Sequence, residues 1–506
     1  MYGPPYMKTE TNDEPSDFAG LELSGTQRKW LWGFLAFVGL IRVLLMFQLP
    51  FTDTTEARYA EIARKMVETN DWITPQFDYG VPFWGKPPLH TWVSALGMEV
   101  FGVGQFGARI FIFLVTLGTL WMLYRWAKSI KGRDYALLGT AILASSALFF
   151  LASATVMTDM VMGSGVFLSM AGFYSALHAK RCARLWGYLF FVGLGIGMLA
   201  KGPVAVVLTA LPIGAWVLLK NEWVATWRRL PWVEGALLGC CIFLPWYVAA
   251  EIKTPGFLEY FIVGEHIQRF LQSGWKGDLY GNGHAEVRGM IWVFWFAAVL
   301  PWGFFFLAPL RWGGSLYRAV KSEENGWSLY LLCWALAPLL FFTMASNIIA
   351  TYVITGLPAA CFLAIDLWSY VCASGRFSRR GVSVFFTISS ALAALCFALV
   401  YGAFLIGGPS VVRKSDKYVV DAANELSDAE SGGLFYEGKR SYSAEFYTAG
   451  KVHRLENELA LDDLLHNQSR DFLMLRKSSV DKFPESLLAR FKLIGFYGKK
   501  VLYYEL

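Results

Sequence analysis

Asp53-Thr-Thr-Glu-Ala-Arg-Tyr-Ala60 follows directly on an apolar run, and a second polar stretch, Trp84-Gly-Lys-Pro-Pro-Leu-His90, precedes the next one. A loop this rich in charge, set between two segments long enough to cross a bilayer, reads as the wall of a site at a membrane surface rather than as simple connection.

The composition around it supports a membrane. Hydrophobic residues make up 55% of the 506, aromatics 17% and charged residues 17%. Apolar runs near twenty residues recur with charge-poor interiors, the signature of spanning helices. Spans are expected at 29–50, 105–127, 134–152, 155–177, 185–200, 203–219, 231–250, 289–310, 327–345, 351–371 and 382–407. Lys and Arg accumulate in cytoplasmic loops. Arg125 to Arg133, Lys180 to Arg184, Lys220 to Arg229, Arg311 to Lys321 and Arg376 to Arg380 all fall on one side of an eleven-span arrangement with a cytoplasmic N-terminus. The loops 51–104 and 251–288, and the C-terminal tail, then lie opposite.

A polar leader precedes the first run, so that run is not expected to be a cleaved signal peptide. Residues 1–28 read as a disordered cytoplasmic leader, 29–407 as the transmembrane domain and 408–506 as a water-soluble α/β domain on the outer side. The last 99 residues hold fifteen basic and fifteen acidic side chains, out of 45 and 39 in the chain. Short β-type runs at Gly433–Tyr436, Phe472–Leu475 and Lys500–Tyr504 alternate there with helical stretches near Tyr442–Thr448, Leu459–His466 and Pro484–Phe491. The seven cysteines sit in or beside spans, which argues against a disulfide framework and a Cys-based metal site.

Within the first outward loop, Tyr59, Ile62, Ala63, Met66 and Val67 have helical spacing, with Arg58, Glu61, Lys65 and Glu68 on another face. This predicts an amphipathic helix along the membrane. Asp53 and Glu56 fit a helix cap with a return bond, and equally a pair of acidic groups in a site. Arg58 and Lys86 are cations suited to a phosphate, and Pro87-Pro88 holds the backbone after Lys86 extended and stiff. Asp159, at the start of the fourth span, is costly unless it faces water, a cation or a cavity; the alternative is a helix cap through Thr158. Lys201 at an outer span junction is explained by snorkelling to the interface. In loop 251–288, Glu265 and His266 with His284 and Glu286 leave a divalent metal open, yet adjacent donors in a loop are not the spaced pair of a metal-binding helix. Arg269 is preferred as a phosphate contact, and Tyr352 suits either ligand binding or an interfacial aromatic belt.

Taken together, Glu56-Ala-Arg-Tyr-Ala-Glu61, Asp71-Trp-Ile73, Lys86-Pro87, Thr158-Asp159, Lys201-Gly202, Leu244-Pro-Trp246, Glu265-His-Ile-Gln-Arg-Phe270 and Thr351-Tyr352 resemble the GT-C membrane glycosyltransferases. They are most similar to the lipid A aminoarabinose transferases and their relatives in the protein-mannosyltransferase group. The resemblance spans roughly residues 30–370. It implies an α-helical polytopic fold and transfer of a sugar from an undecaprenyl-phosphate carrier to lipid A, another envelope glycan or a protein, on the periplasmic face of the bacterial inner membrane. No nucleotide sugar, nucleic acid or certain cofactor is implied. By resemblance Arg58, Tyr59, Lys86, Arg269 and Tyr352 hold the carrier phosphate and Asp159 lines the sugar cavity; read from the residues themselves, Asp159, Glu56 and Asp53 are the acidic candidates for catalysis, with Lys201, Glu265 and His266 as candidate additional contacts. Two departures touch the sugar and acceptor side: Thr55 replaces the first acid of an Asp-Glu pair, and Gly85 stands where a Glu precedes the Lys-Pro. The rival from another class is a transporter or flippase of a lipid-linked anion, which requires charges distributed through the span interiors.

The Lys and Arg asymmetry generates a topology test. Reporter fusions near residues 225, 315 and 377 should read cytoplasmic, and fusions near 275 and at the C-terminus periplasmic. A cytoplasmic C-terminus would overturn this orientation.

Overall fold

The computed structural model describes residues 21–272, 275–281, 286–407, 414–427, 431–455, 464, 467 and 469–506. The leader as far as residue 20, His284 and nearly all of the stretch 459–466 lie outside the described residues. The first part of the chain runs through α1 (Gly25–Gln48), α2 (Thr55–Thr69), α3 (Leu89–Phe101), α4 (Gln105–Lys131), α5 (Arg133–Ser145), α6 (Ala147–Ala152), α7 (Thr158–His178), α8 (Ala183–Ala200) and α9 (Val204–Lys220). Between α2 and α3 a small hairpin pairs β1 (Gln76–Asp78) with β2 (Val81–Pro82).

This is a helical multi-pass membrane protein. Among the described residues seven helices are long and apolar enough to cross a bilayer, and the bent pair Met290–Ala298 and Gly303–Trp312 makes an eighth. Val204–Lys220 and Trp327–Thr343 are apolar but shorter. Eight of the eleven expected spans are therefore met by this measure among the described residues; 134–152 is broken, and the helices within 203–219 and 327–345 are short. The run 134–152 divides into α5 and α6 at Ser146, where the Ser145 and Ser146 hydroxyls donate back to the carbonyls of Ala141 and Ile142. The run 289–310 bends by 115°. These two breaks face each other, and the Ala147 N–H donates to the Leu300 carbonyl at 2.8 Å. An apolar surround offers no water to satisfy groups that a broken helix releases, so the breaks satisfy one another.

At the centre stands α7, buried along most of its length. Small residues let it approach α8: a Cβ on Gly165 would lie 2.7 Å from the Gly193 carbonyl oxygen, and one on Gly172 would lie 2.7 Å from the Phe190 nitrogen. Such close approach is how apolar helices associate when burial from water no longer drives them together. At the end of the bundle opposite loops 51–104 and 251–288, Lys131 pairs with Glu323 at 2.8 Å and Asp366 at 3.6 Å, and the Tyr135 and Ser328 hydroxyls donate to Asp366.

The C-terminal region forms a five-stranded mixed sheet from β3 (Ser431–Tyr436), β4 (Val452–Arg454), β5 (Arg470–Arg476), β6 (Phe491–Tyr497) and β7 (Lys500–Glu505), in the order β4-β3-β5-β7-β6. The expected β-runs are strands β3, β5 and β7, and the helix near 442 is Tyr442–Tyr447. Helix is shorter than expected near 484, where Glu485–Leu488 gives way to β6. The strands β4 and β6 carry too few buried positions to show the alternating pattern that would announce them.

This sheet unit sits on α2, and that contact corrects the reading of the α2 polar face. Glu61, Arg64 and Lys65 are 1%, 4% and 1% exposed. Arg64 pairs with Glu61 at 2.7 Å, Lys65 lies 3.8 Å from Glu445, and Arg440 covers the Phe77 ring and reaches Asp78 at 3.3 Å. Asp53 is no helix cap either: the residue before the helix is Thr54, which makes no side-chain capping bond. The Asp53 carboxylate instead accepts from the Ser443 N–H at 3.1 Å, the Ser443 hydroxyl at 2.6 Å and the Ser441 hydroxyl at 3.1 Å.

Burial pushes the Asp53 carboxyl up to about 6, the Asp416 charge adds to the rise, and the two serine hydroxyls oppose it. A carboxyl raised on docking stabilises the docked form below its ordinary value near 3.8, and that contribution is lost as pH rises through about 6. Amide exchange in Tyr442–Tyr447, corrected for intrinsic rates, should therefore be better protected at pH 5 than at pH 7.5. Asp53→Asn should flatten this dependence. An unchanged profile would remove Asp53 from the control of this contact.

Candidate active site

Lys86 stands at the end of a loop that the distant Tyr280 fixes. The Tyr280 hydroxyl donates to the Pro82 carbonyl at 2.8 Å and accepts from the Trp84 N–H at 2.9 Å, while its ring packs on Phe83. Pro87 and Pro88 then lead straight into α3, where a proline costs no helix bond. The Lys86 ammonium donates to the Glu265 carboxylate at 2.7 Å and to the Gly85 carbonyl. Glu265 lies in a π-helical segment, Glu259–Gln268, where Arg269 donates to both its oxygens at 3.0 and 2.9 Å and Tyr260 to one at 3.2 Å. Asp278 adds a second acid 3.4 Å from Arg269. Burial pushes the Glu265 carboxyl up, but the Lys86 and Arg269 charges overcome it and hold it at about 2.

A second cluster adjoins the first through His266. Asp159, in the first turn of α7, is 2% exposed, and Lys201, just past the end of α8, donates to it at 2.6 Å. Lys201 therefore does not snorkel to the interface; it is 7% exposed and its ammonium lies 4.5 Å from the Tyr352 ring centre. Nor does Asp159 serve as a cap, since Met157 occupies that position without a side-chain capping bond. The following Gly202 has φ +94, and a Cβ there would lie 2.5 Å from the Phe261 ring. Glycine thus lets the backbone meet Phe261 and His266, whose Nε2 lies 3.3 Å from the Lys201 carbonyl. Burial and the nearby Lys86 charge push His266 down to about 4, so its ring is neutral near pH 7.

The structure thus brings Lys86, Glu265, His266, Arg269, Lys201, Asp159 and Tyr352 into one region, drawn from segments up to 266 residues apart. Tyr59 borders it by edge contact with His90 at 4.8 Å. His90 was not singled out in the sequence; burial, with Lys86 as the next cause, pushes it down to about 3. Its position four residues after Lys86 was the available signal. Arg58 reaches the same loop from another side, donating to the Tyr280 carbonyl at 2.8 Å with its guanidinium 5.3 Å from the Tyr59 ring. At Gly85 a Cβ would lie 2.8 Å from the Phe83 ring, so that ring fills the space a longer residue would need.

Glu56 and Asp53 have partners outside these clusters. Arg109, unremarked in the sequence, donates to both Glu56 oxygens at 2.9 Å, and the Val156 N–H lies 3.3 Å from one of them. The Arg109 guanidinium also bonds the Met46 and Leu49 carbonyls, tying the end of α1 to α2 and α4. Asp53 belongs to the contact with the sheet unit described above. As for a metal, no three His, Cys, Asp or Glu side chains gather as donors among the described residues, and Glu286 is exposed.

Comparison with known proteins agrees with this architecture. The family model described as dolichyl-phosphate-mannose-protein mannosyltransferase matches residues 41–261. The undecaprenyl phosphate-alpha-4-amino-4-deoxy-L-arabinose arabinosyl transferase of Erwinia tasmaniensis is 29% identical over 67% of this chain and 57% of its own length. The enzyme of that name numbered 1 in Pseudomonas fluorescens is 31% identical over 72% of this chain and 63% of its own. The crystal structure of ArnT from Cupriavidus metallidurans bound to undecaprenyl phosphate aligns with a TM-score of 0.74 at 19% identity, covering 96% of this chain and 99% of that one. The chain has the fold of ArnT and resembles the aminoarabinose transferases in sequence. It spans a little over half the length of the Erwinia relative, and less than two thirds of the Pseudomonas one.

The Glu56–Arg109 geometry separates structure from chemistry at Glu56. Removing one partner of a buried pair costs about 3–5 kcal/mol, so Glu56→Gln and Arg109→Leu should each lower the melting temperature clearly. Glu56→Gln should also retain turnover at temperatures where it stays folded. A wild-type melt with lost turnover would instead make Glu56 part of the chemistry.

Proposed function

We propose that this protein is a glycosyltransferase that moves a sugar from an undecaprenyl-phosphate carrier to lipid A or another envelope acceptor, at the periplasmic face of the bacterial inner membrane. The observation that carries this reading is the convergence of Lys86 and Arg269 on Glu265, beside the Asp159–Lys201–Tyr352 cluster. Two cations held at one point suit a phosphate group, and a carboxylate a short way off suits the attacking oxygen. The names of the relatives support the donor and the sugar class, and the ArnT structure is of a protein bound to undecaprenyl phosphate.

In this reading Lys86 and Arg269 grip the carrier phosphate, with Arg58, Tyr59 and Tyr352 as flanking contacts. The bond between the sugar carbon and the phosphate oxygen breaks, and its electron pair stays on that oxygen, where the cations stabilise the growing charge. The acceptor oxygen bonds to the sugar carbon from the opposite face, giving inversion. A hydroxyl acceptor passes its proton to Asp159, which Lys201 holds in place; a phosphate acceptor such as that of lipid A is already ionised, and Asp159 then orients it. Glu56 is assigned to holding α1, α2 and α4 together, and Asp53 to the contact with the sheet unit. A transporter would need charged groups along a path through the bundle. Among the described residues the buried charges gather instead at the two ends of the bundle, apart from Arg42, which bonds the Leu151 carbonyl and the Ser153 and Thr155 hydroxyls.

Reconstituted protein given undecaprenyl-phosphate-linked aminoarabinose and lipid A should release undecaprenyl phosphate and yield sugar-bearing lipid A by mass spectrometry. Without that product, comparison of lipid A, glycans and envelope proteins from a deletion strain identifies the acceptor. Lys86→Ala and Arg269→Ala should each lower kcat/KM at least tenfold, as expected if a charge-assisted contact contributes about 1.5–3 kcal/mol. Asp159→Asn should lower kcat while carrier binding persists. Full activity in all three variants would sink the assignment.

A further inference from the structure

We infer that Glu265 is a charge-balancing positioning residue, which sets Lys86 and Arg269 in one bite and prevents the site from holding the spent phosphomonoester carrier more tightly than the loaded phosphodiester. The inference rests on the carrier-phosphate reading above and deepens it.

The geometry is that of a clamp. The Glu265 side chain is 2% exposed, and one carboxylate accepts from the ammonium of Lys86, from Nη1 of Arg269 through both oxygens, and from the Tyr260 hydroxyl. The two cations come from segments 183 residues apart, and Glu265 is the group that both of them touch. A lysine carries three N–H donors and an arginine five. Lys86 commits two of its three, to Glu265 and Gly85, and Arg269 commits Nη1 to Glu265 and Asp278. One donor on Lys86, with Nε and Nη2 of Arg269, is left without a partner among the described residues, a set that matches the oxygens of one phosphate.

The charge count points to what the clamp does beyond holding shape. Lys86 and Arg269 are matched by Glu265 and Asp278, so the cluster is neutral before a ligand arrives. A loaded carrier is a phosphodiester with one negative charge. Transfer breaks the sugar–oxygen bond and leaves both electrons on the phosphate, which becomes a monoester carrying close to two negative charges above its second pKa near 6. Two uncompensated cations would favour that product strongly, and turnover would stall on release. A fixed carboxylate beside them repels the second charge more than the first, because the interaction scales with the product of the charges.

The test is equilibrium binding of two probes, undecaprenyl phosphate and its methyl ester, to the full-length chain in detergent. Wild type, Glu265→Gln, Asp278→Asn and Lys86→Ala are compared at pH 8 and pH 5. Glu265→Gln should raise the ratio of monoester to methyl-ester affinity at least tenfold at pH 8, and by far less at pH 5, where the monoester is mostly a monoanion. Free undecaprenyl phosphate should also become an inhibitor at least tenfold stronger, with kcat falling more than KM for the donor rises. Should Glu265→Gln fail to fold, Asp278→Asn removes the second acid, leaves the clamp in place and should raise the same ratio by a smaller factor. A ratio unchanged in whichever acidic variants fold, even if both affinities fall together, makes Glu265 a structural brace and overturns the inference. Wild-type binding of both probes by Lys86→Ala would overturn the carrier reading itself, which is a different failure.

Discussion

A charge beside hydrocarbon has to be matched by an opposite charge or by a full set of hydrogen bonds, since leaving it unpaired costs about 3–5 kcal/mol, a large share of a fold's stability. This constraint shapes the end of the bundle that carries the proposed site. Glu56 with Arg109 joins α2 to α4, Asp159 with Lys201 joins the start of α7 to the end of α8, and Lys86 with Glu265 joins loops 51–104 and 251–288. Each pair links residues at least 42 positions apart in sequence, so the same interactions that allow charge to be buried also fix the relative positions of the groups proposed to act on substrate.

The sheet unit takes part in that arrangement. It covers the charged side of α2, where Glu61, Arg64 and Lys65 would otherwise face water, and it is pinned at Asp53 and Arg440. Buried ion pairs contribute little net stability compared with apolar packing, but they tolerate few alternative registers. The unit is thereby held in register on the helix that carries Arg58 and Tyr59.

The fold class was legible because span length and apolarity are local properties, and so was the polar loop that holds Lys86. The residues named from Lys86-Pro87, Thr158-Asp159, Glu265-His266 and Arg269 do meet in space. What the chain did not reveal is which charges pair with which. Glu56 three residues after Asp53 has the spacing of a cap, but its partner Arg109 lies 53 residues on and has no local signature. The same holds for Tyr280, which locks the Trp84 loop from 196 residues away. Lys201 looked like a residue reaching for the interface because Asp159, its partner, is 42 residues earlier and on another helix. The amphipathic pattern of α2 was read correctly as a helix and misread as a surface, since a polar face pairs as well with a folded unit as with water. Broken spans were missed because hydropathy averages over the serines and turns that interrupt them.

The paired breaks at Ser146 and Leu300 have a consequence for how this architecture can change. Each interrupted helix supplies the backbone partner that the other lacks, through the bond from Ala147 to Leu300. Straightening either one alone would strand a peptide group of its neighbour in oil. The two irregularities are therefore coupled, and a substitution that reshapes one break is felt by the backbone of the other even though neither belongs to the proposed site.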